Sequence, residues 1–136
     1  MPKGAQLQQP VLDALLGAGG SVSHPTTLYV ALFTNIPDAN GGTEVGGPGG
    51  YQRVAVTNNG TNWVFTSPST MKNGSTISFP TVLTPGWGTI YGFGLYDIPT
   101  LGSGFLYYAG SLSAPLTPNV NDVVIFAPSA LVITED

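Results

Sequence analysis

The sequence predicts an all-β fold, an antiparallel, jelly-roll-like β-sandwich of about eight strands preceded by one short N-terminal helix. Three observations carry this expectation. Short apolar runs recur from residue 27 to the C-terminus. Asn-Gly, Gly-Gly and Pro-containing turns separate them, the punctuation of short strands. No second segment of helical period stands between them, which argues against βαβ units. The 136 residues fit a single globular domain, read as an arm with a short helix over 1–26 and a sandwich over 27–136. A chain of this size buries roughly two-thirds of its unfolded surface, enough for one core.

In the arm, Leu7, Val11, Leu12, Leu15 and Leu16 recur at steps of three and four, and Gly17, Gly19 and Gly20 follow as a stop. Proline is best tolerated in a first helical turn, so Pro10 confines the predicted helix to residues 10–17. A helix so short is not stable alone; it is read as a lid over one end of the core or as an arm that docks on a neighbouring subunit. The first strand, 27–34, is apolar on both alternating faces, with Leu28, Val30 and Leu32 on one and Tyr29, Ala31 and Phe33 on the other, the pattern of a strand covered on both sides. Further strands are expected at 51–57, 62–66, 75–79, 87–97, 104–112, 121–127 and 130–134. In 87–97, Trp87, Tyr91, Phe93 and Leu95 fall on one face while Gly92 and Gly94 leave the other nearly bare. That face admits close approach by another group, which suits a central strand. Residues 38–50 form one long glycine-rich connection, flexible unless a partner pins it.

Composition narrows the function classes. Only ten residues are charged, three basic and seven acidic, or 7% of the chain, against about 25% in an ordinary soluble domain. Lys3, Arg53 and Lys72 stand singly and the net charge is −4, so the clustered cations that bind nucleic acid are missing. No apolar stretch approaches the ~20 residues of a membrane helix. The start of the sequence lacks the basic and apolar regions of a secretory signal, from which a protein made and used without export is expected. There is no cysteine, hence no disulfide and no thiolate chemistry.

Enzymatic and cofactor chemistry find little support. His24 is the single histidine, within Ser-Val-Ser-His-Pro, and no nucleophile elbow accompanies it. One histidine without cysteine does not make the common zinc sets. The seven carboxylates are scattered with no D-x-D run; Asp97 and Asp122 occupy ordinary turn positions. The Gly-rich stretch lacks the lysine of a phosphate loop. Asn59-Gly60-Thr61 and Asn73-Gly74-Ser75 read as Asn-Gly turns rather than glycosylation sites. No catalytic residue, cofactor or metal is assigned. Among the aromatics, Trp87 reads as core, while Tyr51 and Tyr108 read equally as core or as partner surface.

The ordered set of segments 28–34 (Leu-Tyr-Val-Ala-Leu-Phe-Thr), 41–45 (Gly-Gly-Thr-Glu-Val), 50–56 (Gly-Tyr-Gln-Arg-Val-Ala-Val), Asn62-Trp63, 77–80 (Ile-Ser-Phe-Pro), 87–90 (Trp-Gly-Thr-Ile), 93–97 (Phe-Gly-Leu-Tyr-Asp) and 130–136 (Ala-Leu-Val-Ile-Thr-Glu-Asp) resembles a family of small tailed-bacteriophage virion structural proteins, often labelled tail fibre or decoration proteins. The resemblance covers nearly the whole chain. It departs at 46–50 and 82–86, and brings no catalytic residues. It implies a virion component. A chain without repeats or heptads does not form a full fibre, and the expectation is a capsid decoration or cement protein on the capsid surface, partnered by the major capsid protein and by copies of itself as a homotrimer or homodimer. The alternatives are a compact tail, baseplate or tail-fibre component with a host-adhesion role, or a sugar-binding adhesin. The residues expected to meet a partner are Leu7, Val11 and Leu15 of the arm, Glu44 of the glycine-rich loop, and Tyr51, Arg53 and Tyr108.

Overall fold

The computed structural model describes residues 3–16 and 24–135. Among these lie one helix, α1 (Ala5–Leu16), and nine strands: β1 (Thr27–Phe33), β2 (Val54–Thr57), β3 (Trp63–Ser67), β4 (Thr70–Asn73), β5 (Ile77–Thr81), β6 (Ile90–Tyr96), β7 (Leu106–Leu116), β8 (Val123–Phe126) and β9 (Val132–Thr134). Every ladder is antiparallel. The strands form a four-stranded sheet β2-β1-β6-β7, a three-stranded sheet β3-β4-β9 and a ribbon β5-β8. The all-β, sandwich-like class is the expected one. The added strand is β4, whose Thr-Met-Lys-Asn has no apolar alternation; it is held by pairing with β3 on one side and β9 on the other.

β1 and β6 are the central strands of the large sheet, and both explain their composition. Leu28, Val30 and Leu32 enter the main core, while Phe33 packs on the opposite face with Leu106 and Ala109. The bare face of β6 receives these neighbours: a Cβ at Gly94 would lie 2.8 Å from the Phe33 ring, and one at Gly92 would collide with Pro37. The main core is aromatic at its centre, where Tyr51, Phe79, Trp87 and Phe126 meet edge-on or stacked at centroid separations of 5.3–6.3 Å. Trp87 is core, as expected, and its indole N–H donates to the Gly49 carbonyl at 2.8 Å.

One face assignment changes. The alternation places Tyr91 on one face with Phe93 and Leu95, but Ile90 is the residue buried with them and Tyr91 is exposed. The β6–β7 register shifts between Ile90 and Gly92, so the alternation changes phase at that irregularity.

The helix also differs, starting at Ala5 with Pro10 in its interior rather than beginning at 10. Pro10 removes one internal hydrogen bond, and anchoring ahead of it offsets the loss. The Gly4 amide donates to the Tyr107 carbonyl at 2.7 Å and the Ala5 amide to the Ala39 carbonyl at 2.6 Å, while Leu7 is buried. First-turn amides that lack intrahelical acceptors thus find them on the sheet and loop. The glycine stop at 17–20 lies outside the described residues.

The 38–50 connection is pinned from within the chain. The Thr34 amide donates to the Thr43 carbonyl and the Val45 amide to the Leu32 carbonyl, so residues 43–45 pair with the end of β1 beyond the reach of β2. Asn73 is a second internal clamp: it is buried, its amide group donates to the Ser75 and Ala127 carbonyls, and its Oδ1 accepts from the Leu131 amide. The expected Asn-Gly turn at 73–74 is therefore the buried end of a strand, whereas Asn59 does form one, its Oδ1 accepting from the Thr61 and Asn62 amides.

Candidate functional site, the groove beneath the N-terminal helix

A groove of about 600 Å³ opens between α1 and the three-stranded sheet. Strand register builds its wall. Phe65, Met71 and Ile133 are paired across β3, β4 and β9 and so share one face, with Trp63 two residues before Phe65 on the same side. The opposite row, Val64, Lys72 and Val132, points away. Leu28, Trp63 and Leu95 form the buried floor, while Phe65 and Met71, 64% and 38% exposed, form the open end.

The helix closes one side with Leu7 and Val11. Beside them Lys3 forms an ion pair with Glu135, and the Tyr108 hydroxyl donates to the same carboxylate. Tyr107 and Tyr108 both reach the groove, because the β6–β7 register shifts between Leu95 and Tyr96. His24 and Asn58 border the far side, where Asn58 donates to the Pro25 carbonyl at 2.8 Å. The Trp63 indole N–H is buried without an acceptor among the described residues.

Three of the residues expected to meet a partner, Leu7, Val11 and Tyr108, converge on this groove. Leu15 lies further along α1 and is exposed. The other three, Glu44, Tyr51 and Arg53, lie elsewhere and face inward. Arg53 and Tyr51 are 6% and 2% exposed. Arg53 donates to both oxygens of Glu44 and to the Ile98 carbonyl, each at 2.8 Å, and its guanidinium lies 3.8 Å from the Tyr96 ring centroid. Tyr51 donates to Glu44 and accepts from the Leu32 amide, and the Gly102 amide donates to Glu44 at 2.7 Å. Burial opposes ionisation of Glu44, but the bonds from Arg53, Gly102 and Tyr51 together with the Arg53 charge outweigh it and hold the carboxyl below its ordinary value. Burial and, next, the Glu44 charge push the Tyr51 phenol far upward. This cluster ties the glycine-rich loop to the 98–102 turn; it is a structural joint that the sequence hid, because a lone Glu in a Gly-rich stretch carries no sign of its partner.

Chemically, the groove offers apolar and aromatic surface, with its one ion pair already satisfied. Among the described residues no group of three or more His, Cys, Asp or Glu side chains is placed to hold a metal. The lining is mostly apolar and aromatic, with His24, Asn58, Ser69, Thr70 and Glu135 as its polar members. Residues 4–134 match the family model described as podophage GP4 fiber I protein gp80. No curated protein matches the chain.

Proposed function

Because this chain belongs to the podophage GP4 fiber I protein gp80 family, a family of phage virion structural proteins, we propose that it is a compact, non-catalytic subunit of the virion's fibre apparatus. The observation that carries this reading is the family match across 4–134, which includes both the arm and the whole sandwich. The family description favours the fibre alternative over the capsid-cement role expected from the sequence. One small sandwich does not make an extended shaft, so its place is at a joint or base, where it binds a neighbouring fibre protein or its own copies.

The surface supports assembly by apolar contact. Two of the three basic residues are consumed by ion pairs within the chain, Lys3 with Glu135 and Arg53 with Glu44. What the arm offers outward is Leu12, Leu15 and Leu16. Contacts of this kind suit permanent association within a particle, where interfaces are more apolar than transient ones.

Gold-labelled antibody against the chain, imaged on intact particles, tests the reading together with copy number by quantitative mass spectrometry. Label on the tail with a few copies per particle supports a fibre subunit. Label over the head with copy number near that of the major shell protein overturns it in favour of a cement protein.

A further inference from the structure

Asn-Gly occurs at 40–41, 59–60 and 73–74, and the fold treats the three pairs differently. The dipeptide is chemically labile, because glycine has no Cβ to keep its own amide nitrogen away from the preceding side-chain carbonyl. At Asn73 every reacting atom is held. The residue is 1% exposed, its Nδ2 donates to the Ser75 and Ala127 carbonyls, its Oδ1 accepts from the Leu131 amide, and the Gly74 amide donates to the Asn62 carbonyl at 2.6 Å. At Asn40 the side chain is exposed, but the Gly41 amide, the nitrogen that would attack, donates to the Asp38 carbonyl at 2.9 Å. Asn59 and Gly60 are both exposed. Neither the Gly60 amide nor the Asn59 Nδ2 has an acceptor among the described residues, and the space beside Gly60 is open.

The carbonyl of Asn59 is also prepared for attack. Its Oδ1 accepts from the Thr61 and Asn62 amides at 3.0 and 2.9 Å. Two backbone dipoles therefore point at the oxygen on which negative charge develops when Cγ is attacked, the arrangement that stabilises an oxyanion.

We propose that Asn59 is a site of spontaneous covalent modification, with Gly60 as nucleophile and the Thr61 and Asn62 amides as oxyanion donors. A solvent base takes the Gly60 N–H proton, the nitrogen bonds to Cγ, and the Cγ–Nδ2 bond breaks, releasing ammonia and closing a cyclic succinimide. Water then opens the ring, at Cγ to give aspartate or at the main-chain carbonyl to give isoaspartate. The sum is one water consumed and one ammonia released. The turn is a sensitive place for this change, since the Trp63 amide donates to the Asn59 carbonyl at 3.0 Å and Trp63 forms part of the groove floor. Aspartate adds one negative charge to a chain that carries −4. Isoaspartate reroutes the main chain through the side-chain carbon and displaces the carbonyl that holds Trp63. Neither consequence depends on where in the virion the chain resides.

The test compares the three sites within one sample. The full-length chain is incubated at mildly alkaline pH, once folded and once in urea, and its peptides are mapped by mass spectrometry over time. The ratio of folded to unfolded rate at each site cancels the influence of its sequence neighbours. That ratio is expected to be one or more at Asn59 and far below one at Asn40 and Asn73, with isoaspartate at 59 detected by isoaspartyl methyltransferase labelling. Gly60→Ala, which meets nothing within 4 Å, is expected to slow the loss of Asn59 about tenfold, or about 1.4 kcal/mol of barrier, with unchanged circular dichroism. A ratio well below one at Asn59 overturns the proposal, because the two amides would then clamp the side chain rather than activate it. A ratio at Asn40 or Asn73 that matches the one at Asn59 does so as well. An unchanged rate in Gly60→Ala also overturns it, by making direct attack of water, not the Gly60 nitrogen, the route.

Discussion

Arg53 grips Glu44 in a two-point ion pair, Nε to Oε2 and Nη2 to Oε1, both at 2.8 Å, with side chains only 0% and 7% exposed. The pair joins the glycine-rich loop to the start of β2, and Gly102 and Ile98 bring the 98–102 turn to the same point. Breaking a buried pair from one side leaves an uncompensated charge, at a cost of about 3–5 kcal/mol. Arg53→Met is therefore expected to lower unfolding free energy by that amount in urea titration. The double variant Glu44→Leu/Arg53→Met should lose clearly less than the two single losses added together; strict additivity would show that the two residues stabilise the fold independently.

Stability should have a plateau bounded on both sides by this cluster. Glu44 is held below its ordinary 4.5 in the folded chain, so its contribution is complete above that value and is lost as pH falls through the lower folded one. Tyr51 is shifted the other way, above its ordinary 10.0. The unfolded chain releases the phenolic proton above pH 10 while the folded chain keeps it, so stability declines as pH rises beyond that point. Urea midpoints measured across pH should fall at both ends. Tyr51→Phe should flatten the alkaline limb; an unchanged limb would place its origin in another group.

The bare face of β6 should not tolerate a methyl group. At Gly94 a Cβ would lie 2.8 Å from the Phe33 ring, in a site closed by Leu106. Overpacking of this kind costs about 1–3 kcal/mol, and Gly94→Ala is expected to lose that much. Gly60→Ala is the comparison, since nothing lies within 4 Å of the added atom; it should stay within about 0.5 kcal/mol of the parent. Equal losses at the two sites would mean that backbone entropy, not contact, sets the cost.

Legibility in the sequence followed local pattern. The double-faced run at 27–34 announced a covered central strand, and Gly92 and Gly94 announced a close neighbour, because both are written in side-chain alternation. β4 was hidden because Thr70 to Asn73 alternate nothing and are held by neighbours on both sides. The phase change at Ile90 and the turn ahead of Pro10 depend on β7 and on the Ala39 carbonyl, residues far away in the chain. For the groove, the aliphatic stripe Leu7, Val11 and Leu15 was legible as an arm, whereas Phe65 and Met71 became its counterpart only through the β3–β4 register. Glu44, Tyr51 and Arg53 drew notice as polar and aromatic residues around a flexible-looking loop, and that same chemistry is what buries them together.

The arm should separate from the sandwich at a single atom. Gly4 donates to the Tyr107 carbonyl, and a Cβ there would fall on the Leu106 carbonyl, a backbone group that cannot swing aside. Gly4→Ala must therefore lift the strand-like contact of Lys3 with Tyr108 and loosen Leu7, whose burial contributes about 1.5–3 kcal/mol. The central strands take no part in this contact, because β7 stands between the arm and β6. Hydrogen exchange should show the amides of α1 losing protection while those of Val30 and Phe93 keep theirs, as befits a region opening below the global unfolding free energy. Loss of protection throughout both sheets would make the arm part of the folding core; retained protection in α1 would mean that Leu7, not Gly4, sets its attachment.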